Sequence, residues 1–284
     1  MKYAIGIVTY QPDIVRLREN LAAVLSNQHA GRVIIVDNHS TEIATLRQVA
    51  ATSDKIHLIE NDDNTGIAHA LNQIFLHARQ EGCEWVLTLD QDSVLQPNIL
   101  VEYECYTSQA DIGIVCPRIE DRNMGRQYAR SDHGTEYIEQ CITAGNLVRI
   151  EAWDKVGGFC EELFIDGVDF DFCLRIRQGG YRILRTNNVF LTQEVGHGRA
   201  IALPFHHQIS ILNHSPLRLY YMVRNYLYIG RKYHQLWSWS ADVSKRFLIV
   251  ILFEHNRRQK LRYMLLGVRH FMTHTMGKLE KEPS

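Results

Sequence analysis

Apolar and polar positions change period several times along the chain, and each change marks an element. Tyr3 to Tyr10 is a β-rich run, and Gln11-Pro12-Asp13 breaks it before Ile14, Leu17, Leu21, Val24 and Leu25 recur at helical spacing. Gly31 opens a second apolar run, Val33 to Val36, closed by Asp37-Asn38-His39-Ser40. Strand, helix and strand at this spacing predict a parallel crossover unit. Lys55 to Glu60 predicts a third strand, and Ile67, Ala70, Leu71, Ile74, Phe75 and Ala78 the buried face of the helix after it. Trp85 to Leu89 reads as a strand buried on both faces, and Asp90 and Asp92 arrive where it ends. Pro97 starts another helix; Ile112–Cys116, Cys141–Arg149, Tyr181–Arg185 and Val189–Val195 predict further strands. Residues 118–139, polar and without period, read as a mobile loop over the site. The pattern predicts an α/β, doubly wound, mostly parallel sheet in residues 1–215. Aromatic and basic helices follow in 216–284.

Charge sharpens that division. The net charge of −1 hides a basic stretch from Arg218 to His270, where eleven Lys and Arg face only Asp242 and Glu254. Such a segment should meet something anionic. Its apolar positions flanked by Lys and Arg describe helices lying on an anionic membrane surface. Packing on the core or on a homodimer partner explains the same pattern, and the long aliphatic runs argue against nucleic acid. The longest apolar run, Phe247 to Phe253, is too short to span a bilayer, which needs about 20 residues. The six cysteines form no Cys-x-x-Cys pair, so reduced thiols in a cytoplasmic protein are expected. The chain enters its first strand at Tyr3, which does not fit a signal peptide.

Candidate chemistry collects at the predicted strand ends, where ligands of open α/β sheets sit. Asp90 and Asp92 are two apart, so in extended chain they share a side and can hold a divalent cation that also takes phosphate oxygens. An isolated Asp-x-Asp also reads as a solvated acidic turn. Asp37 is placed to accept hydrogen bonds from a nucleobase or ribose, or to cap a helix. The helix start at Asn64-Thr65-Gly66 can offer N–H groups to a ligand, with Asn72 two turns further on. Gly145, inside a predicted strand, marks close approach of a ligand or another backbone. The Gly-rich fingerprint of nicotinamide-binding sheets is absent after the first strand. A helix starting near Gly167 sets Asp169 and Asp171 about 100° to either side of the Phe170, Cys173 and Leu174 stripe, so they cannot both face one cleft. Asp171 has Arg175 four residues on, a ready ion pair. Asp169 has Cys173 there and is the better candidate base. His197, between Gly196 and Gly198, suits a metal ligand or phosphate contact.

Taken in order, Val8-Thr9-Tyr10, Val36-Asp37-Asn38-x-Ser40, Asn64-Thr-Gly66 through Asn72, Asp90-Gln91-Asp92-Ser93, Phe164-Ile-Asp166-x-Val-Asp169-x-Asp171, Gly196-His197 and Tyr220-Tyr221-x-x-Arg224-Asn225 resemble family-2, inverting glycosyltransferases of the GT-A fold. More narrowly they resemble bacterial rhamnosyltransferases of O-antigen and cell-surface polysaccharide synthesis. The resemblance implies that Thr9, Tyr10, Asp37, Asn64, Gly66, Asn72, Gln91 and Gly145 cradle dTDP-β-L-rhamnose. It implies that Asp90, Asp92 and His197 hold Mg²⁺ or Mn²⁺ on the diphosphate, with Arg224 adding charge. Asp169 would be the general base, and Asp166 and Tyr221 would meet the acceptor, a glycan on a polyprenyl diphosphate at the inner leaflet of a bacterial membrane. Gln11 stands where an Asn is common, and Asp171-Phe172 replaces a usual Glu-Trp. A UDP-hexose donor is the nearest rival. A nucleotidyltransferase would carry a Gly-rich, basic loop where Thr9-Tyr10-Gln11-Pro12 stands, and a non-catalytic nucleotide-binding membrane adaptor would not need Asp90, Asp92, Asp169 and His197 together.

Overall fold

The computed structural model describes residues 2–27, 31–121, 125–127, 133–193, 199–202, 208–211 and 213–280. The chain divides into two compact units, Met1–Phe159 with Asp169–Glu194, and Cys160–Val168 with Val195–Ser284.

The first unit opens with alternating strands and helices: β1 (Tyr3–Thr9), α1 (Ile14–Ser26), β2 (Arg32–Asp37), α2 (Ile43–Ala50), β3 (Ile56–Glu60), α3 (Ile67–Gln80), β4 (Trp85–Asp90) and α4 (Ile99–Thr107). Asp13 caps α1 by accepting from the Val15 and Arg16 N–H groups, and Leu17, Leu21 and Val24 turn inward from it. Every residue of β1 is buried. The second half brings β5 (Ile112–Asp121), β6 (Gly125–Gln127), β7 (Thr135–Ile138), β8 (Leu147–Arg149), α5 (Ile150–Lys155), α6 (Val168–Gln178) and β9 (Arg182–Gln193). Among the described residues these strands make one nine-stranded sheet, in the order β3-β2-β1-β4-β8-β5-β9-β7 with β6 beside β5.

Pairing is parallel from β3 through β2 and β1 to β4, antiparallel where β8 enters between β4 and β5, and parallel again between β5 and β9. The order turns at β1, which has β2 on one side and β4 on the other. A crevice opens at such a point, beyond the carboxyl ends of the strands. Register brings the right residues there: Thr9 pairs with Asp37, Asp37 with Glu60, and Val8 with Asp90.

Three expectations need correction. Residues 118–139 are not a structureless loop among those described: β5 runs on to Asp121, β6 returns along it, and β7 closes the sheet edge against β9. The strand expected over Cys141–Arg149 is regular only from Leu147, because Gly145 takes φ +80° and bends the chain. Residues 182–193 form one strand where two were expected.

The second unit pairs β10 (Arg199–Ala202) with β11 (Gln208–Ile211) and adds α7 (Pro216–Lys232), α8 (Leu236–Phe253) and α9 (Arg257–Met272). Ser215 caps α7 and Pro216 sits in its first turn, where a missing N–H costs nothing. Leu219, Met222, Val223, Leu227, Val243, Val250 and Met264 form its core. Gly267 lets α7 and α9 approach, since a Cβ there would stand 2.7 Å from the Tyr220 carbonyl oxygen. Among the described residues no helix is long and apolar enough to cross a membrane.

Candidate active site

The crevice at the end of β1 is framed by side chains that bond one another. Asp37 is buried, and its carboxylate accepts from Thr9 Oγ1 (2.7 Å), Ser40 Oγ (2.6 Å) and the Ser40 N–H (2.7 Å). Ser40 Oγ also accepts from the Gln11 N–H at 2.9 Å. Asn38 donates to the Gly66 carbonyl at 3.2 Å and accepts from Asn61 and Thr65. The Asn64 side chain accepts from the Gly66 N–H at 3.0 Å, which sets the turn into α3. Gly66 takes φ +89°, and no side chain caps the helix behind it. Tyr10 presents its ring at this rim, 49% exposed.

β4 delivers the carboxylates. Asp90 and Asp92 are partly exposed, and the Asp90 carbonyl is pinned by the amide of Asn20 at 2.8 Å. Gln91 between them accepts from the Tyr10 N–H at 3.0 Å and so clamps the end of β4 to that of β1. Two hard oxygen donors on one short turn fit a divalent cation that keeps positions for phosphate oxygens. His197 lies outside the described residues, and among those described no group of three His, Cys, Asp or Glu gathers as a metal cage.

On α6 the two aspartates part as the helical angles require. Asp171 is buried and ion-paired to Arg175, Nε to Oδ2 at 2.7 Å, and Arg175 is held in turn by the Val156 and Gly158 carbonyls. The ion pair its spacing predicts is present, and it is a tie within the core. Asp169 keeps partial exposure in the first turn of α6, accepting from the Phe170 N–H at 2.9 Å.

Four residues do other work than their motif positions imply. Asn72 spends its amide on the chain itself: Oδ1 accepts from the Phe159 N–H (2.7 Å) and Trp153 Nε1 (3.1 Å), and Nδ2 donates to the Phe159 carbonyl. These bonds fasten a distant loop to α3. Gly145 is required by packing, since a Cβ there would meet Pro117 Cγ at 2.8 Å. Within the second unit, Tyr221 is buried, stacks on Phe164, and accepts from the Leu279 N–H. Burial pushes its phenol up from the ordinary value. Arg224, 0% exposed, ends on the Gly277, Glu162 and Leu163 carbonyls, Tyr220 Oη and Asn225 Oδ1. A guanidinium so enclosed is not placed to add charge to a diphosphate.

Asp166 takes φ +61° in a strap where Phe164 and Gly167 also have positive φ. Asn225 holds the strap by donating to the Leu163, Ile165 and Asp166 carbonyls. Arg218 Nε reaches Asp166 Oδ1 at 3.2 Å, while Oδ2 is buried with no hydrogen-bond partner among the described residues. Burial raises the Asp166 carboxyl above its usual range, against the pull of Arg218. Asn225, Asn20, Ser40 and Asn61 are the site-building residues that periodicity overlooks. Asn20 alone leaves a signal, a polar residue on the apolar stripe between Leu17 and Leu21.

The sequence profile of Glycosyl transferase family 2 matches residues 4–160, more than half of the chain. The chain belongs to this family. It is 31% identical over 247 residues to the dTDP-rhamnosyl transferase RfbF of Shigella flexneri, covering 82% of this chain and 80% of that one. Among solved structures, the glycosyltransferase is similar to S. aureus TarS 1-349 (TM-score 0.61, 13% identity, 95% of this chain and 81% of that one). It is also similar to the mannosyltransferase PcManGT of Pyrobaculum calidifontis in complex with GDP-Man and Mn²⁺ (TM-score 0.61, 15% identity, 98% and 76%). GalNAc-T7 with UDP, GalNAc and Mn²⁺ matches at TM-score 0.62 and 12% identity, over 81% of this chain and 48% of that one. The fold is GT-A.

Proposed function

We propose that this glycosyltransferase moves L-rhamnose from dTDP-β-L-rhamnose to a glycan acceptor carried on a polyprenyl diphosphate, with inversion to an α-L-rhamnoside. The observation that carries the donor is the likeness, over most of the chain, to a dTDP-rhamnosyl transferase. In this reading the Tyr10 ring and the rim built on Asp37 receive the nucleoside. Asp90 and Asp92, with His197, hold Mg²⁺ or Mn²⁺; PcManGT and GalNAc-T7 each carry Mn²⁺ beside a nucleotide or nucleotide sugar. When bound, the cation supplies positive charge against the departing diphosphate.

The residues do the rest. Asp169 takes the proton of the attacking acceptor hydroxyl at its carboxylate as the new bond forms. Attack opposite the leaving group gives inversion in one displacement. Asp166 offers its unpartnered Oδ2 to an acceptor hydroxyl. In the second unit, Trp237, Leu248, Ile251 and Leu252 are exposed on α8, with Lys245, Arg257 and Arg258 exposed on the same stretch of chain. That mixture suits the anionic inner leaflet where a lipid-linked acceptor would reside.

Thermal shift and calorimetric titration with dTDP-L-rhamnose, UDP-galactose and UDP-N-acetylglucosamine, each with Mn²⁺, test the donor. Selective binding of dTDP-L-rhamnose, followed by dTDP release on adding acceptor, is expected. Selective binding of a UDP-sugar would replace the donor assignment, a reading to which the likeness to TarS in complex with UDP-GlcNAc lends weight.

A further inference from the structure

The first unit also contains a cavity of about 290 Å³, near the lower end of the range that small-molecule sites occupy, about 300 to 1,000 Å³. Ile119, Ile138, Ile142 and Phe170 give it apolar walls, and Gln140, Asn146 and Arg185 bring polar groups to it. Its lining connects with both halves of the chemistry. Phe170 follows Asp169 in the first turn of α6. The Asn146 carbonyl accepts from the N–H of Thr88, two residues before Asp90 on β4.

Asn146 is 4% exposed, donates Nδ2 to Cys141 Sγ at 3.1 Å, and leaves Oδ1 buried with no hydrogen-bond partner among the described residues. A buried acceptor left without a donor is costly to the fold, and native proteins keep few of them. A hydroxyl of a molecule seated in the cavity would satisfy it. The isoleucine and phenylalanine walls ask for an apolar edge on a molecule no larger than about one ring.

We infer that this cavity is a sugar subsite selective for a 6-deoxyhexose, whose methyl-bearing edge lies on the isoleucine wall while one ring hydroxyl donates to Asn146 Oδ1. A hexose keeping its 6-hydroxyl would press that group against Ile119, Ile138, Ile142 and Phe170, none of whose side chains can hydrogen-bond it. The inference rests on the rhamnosyl reading and deepens it by naming the residues that read the 6-position. The ring has two sources, the donor and the end of the acceptor glycan.

Full-length wild type, Asn146→Ala and Ile138→Asn are titrated with dTDP and with dTDP-L-rhamnose in Mg²⁺, then assayed over a range of acceptor concentrations. If the donor ring fills the cavity, both variants bind dTDP-L-rhamnose about tenfold more weakly and dTDP as before. If the acceptor ring fills it, donor affinity holds while the acceptor KM rises about tenfold with kcat retained. Unchanged donor affinity together with unchanged acceptor KM overturns the subsite. Retained dTDP binding shows that each variant is folded; Ile138, at the end of the edge strand β7, decides if Asn146→Ala does not fold. A wild type that selects a UDP-sugar defeats the rhamnosyl reading instead. Weaker binding of that sugar by the variants would then keep the subsite and overturn its 6-deoxy preference.

Discussion

The two compact units bury polar groups in contrasting ways. In the first, Thr9, Asp37, Asn38, Ser40 and Asn61 bond one another at the carboxyl ends of parallel strands, and the carboxylates of Asp90, Asp92 and Asp169 stay partly exposed. In the second, Arg224, Asn225 and the Lys260–Glu254 pair are enclosed, and the surface shows bare Trp237 and Leu248 among Lys and Arg. Polar burial at the strand ends fixes a receptive surface, because backbone already satisfied by strand pairing leaves side chains to be arranged for a ligand. Polar burial among helices fixes the chain itself: Arg224 and Asn225 satisfy the carbonyls of an irregular strap that no regular element could satisfy.

Asp169→Asn separates chemistry from the receptive surface most sharply. Turnover measured as dTDP release should fall about 10²- to 10⁴-fold, the usual worth of general base help, while donor affinity stays nearly unchanged. A parallel loss of donor affinity would make Asp169 part of the donor cradle rather than the base.

The second unit should fail differently. Arg224→Met takes away the donor to the Gly277 carbonyl and to Asn225 Oδ1, each worth about 1–3 kcal/mol, so urea unfolding should show a loss of at least about 2 kcal/mol. The dTDP affinity of the folded fraction should hold. Weaker dTDP binding at unchanged stability would return Arg224 to the diphosphate and erase the contrast.

That contrast was only partly legible in the chain. β1 to β4, α1 and α3 fall close to where periodicity puts them, because their apolar runs are buried in the sheet or carry one clean buried face. β7 escaped because its residues alternate exposed and half-buried on a sheet edge, held to β9 by backbone bonds and by Arg182 over the Tyr137 ring. The aspartates were legible as residues, and the separation of Asp169 from Asp171 followed from helix geometry alone. Asn72 and Arg224 were legible only as motif letters. Their partners are Phe159, 87 residues on, and Gly277, 53 residues on, and no local pattern encodes contacts at that range.

The exposed face of the second unit offers a milder test. Reversing Lys245, Arg257 and Arg258 to Glu should weaken binding to vesicles containing anionic lipid by at least about 100-fold, given about 1 kcal/mol per basic residue near such a surface. Binding of dTDP should not change. Equal partitioning of variant and wild type in a vesicle flotation assay would remove the lipid surface as the partner of this unit.

The smallest effect concerns pH and belongs to the second unit alone. Burial, helped by Arg218, Arg246 and Lys260, depresses the His214 imidazole to about 4. The unfolded chain takes up that proton near pH 6.5, so between about 6.5 and 4 the unfolded state binds more protons than the folded one. The contribution is therefore present in full above pH 6.5 and is lost as the pH falls toward 4. His214→Gln removes the titrating group. Its melting temperature should fall less steeply than that of wild type between pH 7.5 and 5, a window above the ordinary carboxylate range. Parallel melting curves for the two proteins would show that His214 takes up its proton as readily folded as unfolded, and that the basic side chains around it do not act on it.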